Sequence, residues 1–221
     1  MPRKEVIIVN FKTYSEASGI NALKLAKICE QVAVEYSADI RVAVQALDLA
    51  KVASSVRIPV LAQHVDGIPY GAHTGAIIPE AILEAGGKGS LLNHSEWRIP
   101  IANIEAAVLK LRRLGMDSVV CADNLVNAKK VMEVRPSFLA IEPPELIGGT
   151  MSVSVAEPEL ITSITNKAHV PVLCGAGIHT GEDVRKAFEL GVDGILVASG
   201  IVLSKNPAQV LTDFVKGMQN K

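Results

Sequence analysis

Phe138-Leu-Ala-Ile-Glu142-Pro143-Pro144-Glu-Leu-Ile-Gly148-Gly149-Thr150 sets a short apolar run directly before a carboxylate, two prolines and a pair of glycines. The run reads as a buried strand, and the segment from Pro143 to Thr150 as a strand-to-helix connection. Proline fixes φ and stiffens one end of that connection, while glycine leaves the other end free to turn. A carboxylate at a strand's carboxyl end beneath such a segment has the layout of a general base under a hinged lid. The same residues also fit an ordinary βα loop, because turns are rich in proline and glycine. The remaining strand ends have to decide between the two.

Comparable Val/Ile/Ala-rich runs recur at Val6–Asn10, Ile40–Ala43, Pro59–Gln63, Gly89–Asn93, Ser118–Ala122, Pro171–Cys174 and Gly194–Ala198. With Phe138–Glu142 they are spaced by about 28 residues, close to the length of one βα unit. They are continuously apolar and do not alternate, as expected for parallel strands covered on both faces. Between them lies helix grammar. Asn21 to Val32 carries apolar residues at helical intervals. Thr180-Gly-Glu-Asp183 has the form of an N-cap with first-turn acids, and the segment after it stops at Gly191. Pro79 and Pro207 fall where a first helical turn accepts proline. The pattern predicts an α/β fold, a single-domain (β/α)8 barrel spanning residues 1–221. An open doubly wound sheet is the alternative. It calls for a glycine fingerprint after the first strand, where this chain has Asn10-Phe-Lys12-Thr.

Composition narrows the partners. The 221 residues suffice for one sizeable core. Mean hydropathy is +0.31, yet no apolar run approaches the roughly 18 residues of a membrane helix. The opening Met-Pro-Arg-Lys-Glu lacks a signal peptide's apolar segment, so a cytoplasmic protein without membrane contact is expected. Basic and acidic residues number 22 and 23 and are scattered, which leaves no footprint for nucleic acid. Cys29, Cys121 and Cys174 sit in apolar surroundings without metal-ligand spacing, and read as buried thiols.

In such a barrel the chemistry collects at the carboxyl ends of the strands. Those ends offer Asn10 and Lys12, then Asn93, His94 and Glu96, then Glu142, and finally the small-residue turns Gly175-Ala-Gly177 and Ala198-Ser-Gly200. Asn10-Phe11-Lys12, Asn93-His94-Ser-Glu96, Ala140-Ile-Glu142-Pro-Pro-Glu-Leu-Ile-Gly148 and both glycine-rich turns, in that order, resemble the triosephosphate isomerase family. The likeness covers essentially the whole chain. Its shortness and the Gly175-Ala-Gly177-Ile turn resemble the family's compact archaeal-type branch. Trp97 departs from the pattern, standing where a basic residue is expected.

The resemblance implies an isomerase of glycolysis and gluconeogenesis that interconverts dihydroxyacetone phosphate and D-glyceraldehyde 3-phosphate through an enediolate. Glu142 matches the base, and His94 the electrophile, donating as a neutral imidazole. Triosephosphate isomerase is itself the reference case for that pairing. A helix expected to start at Ser95-Glu96 would disfavour a charged ring. Lys12 would offset developing charge, paired with Glu96, while Asn10 would orient substrate and lysine. The substrate is expected against Asn10, Phe11 and Lys12, and its phosphate against the amides of Ile147, Gly148 and Gly149, Gly177, and Ala198-Ser199. No metal or cofactor is implied. The long loop after the third strand, His64 to Gly75, would insert into a second subunit beside Lys12, giving at least a homodimer and, by the archaeal-type likeness, a homotetramer.

Other readings stay open from residues alone. One is a phosphate-binding barrel acting on a larger substrate, as in amino-acid biosynthesis. Another is a catalytically silent phosphate-binding or assembly barrel, which would dispense with Lys12, His94 or Glu142. His64, His73, His169 and His179 show no metal spacing and read as structural or surface residues.

Overall fold

The apolar runs become strands β1 (Val6–Asn10), β2 (Asp39–Val44), β3 (Val60–Ala62) and β4 (Gly89–Leu92), followed by β5 (Asp117–Ala122), β6 (Phe138–Ile141), β7 (Val172–Cys174) and β8 (Gly194–Val197). These come from a computed structural model in which residues 5–143 and 157–220 are described. Every strand pairs in parallel with the next, and β1 also pairs with β8. The sheet closes into a barrel, the single-domain TIM-barrel architecture, which removes the open-sheet alternative.

Closure gives each strand an inner and an outer face, with side chains alternating between them. Val6, Ile8, Ala43, Leu61, Leu91, Val119, Cys121, Phe138, Ala140, Leu173 and Leu196 fill the interior as one cluster. Their neighbours, such as Ile7, Val9, Val42, Val120, Leu139 and Ile195, pack outward against the helices. Both faces are therefore dry over most of the barrel, and the strands are mainly apolar, with Arg41, Ser90 and Ser118 among the internal exceptions. At the amino-terminal end Arg41 plugs the barrel, bonded to Asp39 at 3.0 Å and Asp117 at 2.6 Å. Its guanidinium lies 5.2 Å from the centre of the Phe138 ring.

The helices are α1 (Ile20–Glu35), α2 (Ala46–Ala53), α3 (Pro79–Glu84), α4 (Ile101–Arg113) and α5 (Leu125–Val134), then α6 (Pro158–Thr165), α7 (Gly181–Glu189), α8 (Ser199–Val202) and α9 (Pro207–Gln219). Helix α1 buries Ala22, Leu25, Ala26, Cys29, Val32 and Ala33, the stripe expected of one face on a sheet. The Thr180 hydroxyl accepts from the Asp183 N–H at 3.1 Å, and the Asp183 carboxylate accepts from the Thr180 N–H at 2.9 Å. This reciprocal cap starts α7, and Gly191 at φ +89° ends it. Pro79 and Pro207 open α3 and α9 as predicted.

One expected helix does not form. Ser95-Glu96 is a turn, and α4 begins only at Ile101, just after Pro100. No helix amino terminus therefore points at His94 from this segment. Cys29, Cys121 and Cys174 are buried thiols, as expected. Among the described residues, no helix is long and apolar enough to cross a membrane.

Candidate active site

The alternation that fills the barrel also aims the site. Val6 and Ile8 face inward, so Asn10 does too; Phe138 and Ala140 face inward, so Glu142 does as well. Asn10 is 4% exposed and Glu142 1% exposed, both at the carboxyl end of the barrel. Polar groups at the last inward position of an apolar strand cost stability unless they are partnered or used.

Lys12 comes two residues later with φ +47°, an unfavourable conformation for a residue with a side chain. Side chains hold it there. The Asn10 Oδ1 accepts the Lys12 N–H at 3.0 Å, and the Gln63 amide donates to the Lys12 carbonyl at 2.9 Å. The Lys12 Nζ then reaches Glu96 Oε1 at 2.7 Å. Lys12 is mostly buried at 13% side-chain exposure, whereas Glu96 is 58% exposed. The pair therefore holds the ammonium at the cleft without sealing it from water.

Asn93, also in a left-handed conformation, turns the chain after β4. Its side chain donates to the Cys121 carbonyl at 2.9 Å and accepts the Ile99 N–H at 3.0 Å. This fixes His94. The Glu96 N–H donates to His94 Nδ1 at 3.2 Å, so Nδ1 is an acceptor and a neutral ring carries its proton on Nε2. Nε2 lies 3.5 Å from Glu142 Oε1.

Burial, and after it the field of Lys12, lowers the His94 pKa to about 4. The ring is thus kept neutral by desolvation and a nearby ammonium, not by the helix dipole expected from the sequence. Burial likewise raises the Glu142 carboxyl to about 7. Among the described residues its buried Oε2 has no hydrogen-bond partner of ordinary geometry, and the Cys121 thiol is the polar neighbour that offsets part of the burial. Two titratable groups pushed apart in this way suit proton transfer near neutral pH.

Asn10, Lys12, His94 and Glu142 line one cleft of about 50 Å³. Its remaining wall comes from Gly175 to His179 and from Leu196 to Gly200, with Tyr14 at the side. The expected Gly177, Ala198 and Ser199 thus lie on this wall. Glu96 lines an adjoining hollow of about 320 Å³ with Gln63, His64, Leu91 and Trp97. The Phe11 side chain is fully buried in the core, facing the helices while Asn10 and Lys12 flank the cleft, so only its backbone is left to meet a substrate. Ile147, Gly148 and Gly149, with the rest of the expected lid beyond Pro143, lie outside the described residues.

Sequence reading missed Tyr14, Ile178, His179, Leu196 and Val197 as cleft residues. Leu196 faces the cleft through the inward parity of β8, which its apolar run conceals in the sequence, and Tyr14 carried no signal. Trp97, the departure from the pattern, is 65% exposed and tilts against His64 with ring centres 5.7 Å apart. The basic residue next to it, Arg98, donates to the Asn93 carbonyl at 2.9 Å. Among the described residues no cluster of His, Cys, Asp or Glu could hold a metal ion. His64 pairs with Asp66 and His169 with the Met132 carbonyl.

Architecture and cleft already place the chain in a class: barrel enzymes of the (β/α)8 type that work by acid–base chemistry on a small anion. The family model described as triosephosphate isomerase matches residues 5–217. The chain is 48% identical over 220 residues to the triosephosphate isomerase of Methanothermus fervidus, covering 97% of this chain and 99% of the relative. It is 48% identical to that of Metallosphaera sedula (96% and 95% covered) and 47% identical to that of Archaeoglobus fulgidus (97% and 99%). The chain belongs to the triosephosphate isomerase family.

Proposed function

We propose that this chain is the aldose–ketose isomerase that interconverts dihydroxyacetone phosphate and D-glyceraldehyde 3-phosphate in glycolysis and gluconeogenesis. The observation that carries the reading is the buried pair of His94 and Glu142, 3.5 Å apart beside the Lys12 ammonium. The Glu142 carboxylate takes a proton from the carbon next to the carbonyl. The carbonyl oxygen, accepting from His94 Nε2–H, gathers the electron pair and becomes an enediolate oxygen. Lys12 offsets that charge, and Asn10 and Glu96 hold Lys12 in place. His94 passes its Nε2 proton to that oxygen and takes one from the neighbouring hydroxyl, while the proton held on Glu142 returns to the neighbouring carbon, so atoms and electrons balance within the substrate. A preorganised donor of this kind is worth about 3–4 kcal/mol of barrier.

The substrate's phosphate is assigned to the wall from Gly177 through Ala198-Ser199, with Ile147, Gly148 and Gly149 of the lid closing over it. Backbone amides suit a dianion, and the phosphate site of such barrels is commonly built after strands seven and eight. The catalytic unit is the whole of residues 1–221, acting in the cytoplasm.

Self-association belongs to the same reading. Residues 69–75 form a run of exposed positions that includes Tyr70, 66% exposed. Beside Lys12 lies the open hollow walled by Leu91 and Trp97. A second copy's loop filling that hollow would make a homodimer, and two dimers the homotetramer. The deciding experiment is a spectrophotometric assay with D-glyceraldehyde 3-phosphate coupled to glycerol-3-phosphate dehydrogenase. Absence of turnover by the purified protein would reject the isomerase reading.

A further inference from the structure

Gly175 stands next to Glu142 across two strands. The register pairs Ile141 of β6 with Cys174 of β7, so the next positions along are Glu142 and Gly175. The pairing continues that far, since the Gly175 N–H donates to the Ile141 carbonyl at 2.9 Å. Ala140 and Leu173 both face the interior, hence the side-chain directions at 142 and 175 are both inward. Adjacent strands lie about 4.8 Å apart, and inward neighbours ordinarily pack side by side.

Here only one of them has a side chain, and it occupies the space of both. A Cβ at position 175 would stand 2.5 Å from Glu142 Cγ, 3.3 Å from its Cδ and 3.1 Å from the Ile141 carbonyl oxygen. The buried Glu142 backbone is held by its N–H to the Ala122 carbonyl at 2.8 Å, so the contact is relieved by turning about Cα–Cβ, which carries the mid-chain Cγ and the carboxylate away together. The backbone at Gly175 is outside the left-handed region, so conformation does not demand glycine at this point. What excludes a side chain is the base itself.

We propose that Gly175 is a positioning residue: by lacking a Cβ it leaves the slot in which the Glu142 stem lies, and so holds the carboxylate beside His94. The proposal rests on the reading of Glu142 as the base, and adds a residue on another strand that sets where the base sits.

The test is Gly175→Ala. The added methyl forces the Glu142 stem out of its slot, and a misplacement near 1 Å costs on the order of 100-fold. The kcat is expected to fall about 10- to 100-fold, while KM stays within about 3-fold because the phosphate wall is untouched. The acidic limb of the kcat–pH profile is expected to move to lower pH, since a carboxylate driven from its slot is better hydrated. A kcat near wild type, or a lowered kcat with that limb unmoved, overturns the proposal. Unfolding temperatures give a second measurement that does not need activity. The deficit caused by Gly175→Ala should shrink in a Glu142→Ala background, where the Cγ is gone. An equal deficit in both backgrounds assigns the glycine to the Ile141 carbonyl and overturns the slot. If the wild-type protein fails to isomerise triose phosphates, the functional reading falls, and the unfolding comparison still judges the slot.

Discussion

Glu142→Asp tests the base by moving its carboxylate without removing it. The wild-type Oε1 lies 3.5 Å from His94 Nε2, held by a stem that is 2% exposed. Removing one methylene draws the carboxylate back toward β6 by about 1 Å, enough to cost roughly 100-fold. That corresponds to about 2.7 kcal/mol of barrier at 1.36 kcal/mol per factor of ten. The loss should fall on kcat, because neither Lys12 nor the wall from Gly177 to Ser199 is altered. The vacated space lets water reach a group whose pKa burial has raised to about 7. The acidic limb of activity should therefore move to lower pH as kcat falls. The coupled assay with glyceraldehyde 3-phosphate, run from pH 5 to 9, reads both effects. Turnover within about twofold of wild type, against that 100-fold expectation, would remove Glu142 from the role of base.

Lys12→Ala should lower kcat/KM by at least about 100-fold with an unchanged circular dichroism spectrum, since its partner Glu96 remains hydrated; an active variant would contradict the role given to the ammonium. Glu142→Gln should abolish activity and stabilise the protein at alkaline pH. The folded carboxyl titrates near 7 against an ordinary value of 4.5, so between those values the folded state binds more protons than the unfolded one and stability falls as pH rises. The variant should gain up to about 3 kcal/mol above pH 7 and nothing near pH 4.5, as read from urea unfolding at the two pH values; an equal gain at both would locate the effect elsewhere. His94 titrates in the opposite sense. Its pKa falls from 6.5 to about 4, so stability is lost as pH drops through that window, and His94→Asn should flatten the loss. Sedimentation of the active protein should show a dimer or tetramer, and an active monomer would reject insertion of the 69–75 loop.

The strands were legible because burial on both faces selects unbroken Val, Ile, Leu and Ala runs, a signal local to each run. The caps at Thr180 and Pro207 were equally local, since capping is settled within one turn of chain. The site was legible in part. Asn10, Lys12, His94, Glu96 and Glu142 announced themselves as polar residues at the ends of apolar runs. Phe11 did not separate from its neighbours, because an apolar run conceals which of its residues face inward. The expected helix at Ser95 failed for a related reason. First-turn acids mark a helix start only when the next residues can wind, and here Pro100 precedes the first helical residue.

By itself the sequence determined the eight-unit rhythm, the starts of α3, α7 and α9 and the chemical types gathered at one end of the barrel. Tertiary structure alone decided the inward parity of each strand, the separation of His94 from Glu142, and the burial that drives their pKa values apart. It also decided the vacancy at Gly175 that Glu142 fills. Those features depend on closure, which brings β6 beside β7 and sets the ends of β1 and β4 around one shared cleft. Neighbours across a closed sheet are distant in the chain, and desolvation is a property of the assembled surroundings that no single stretch of residues carries.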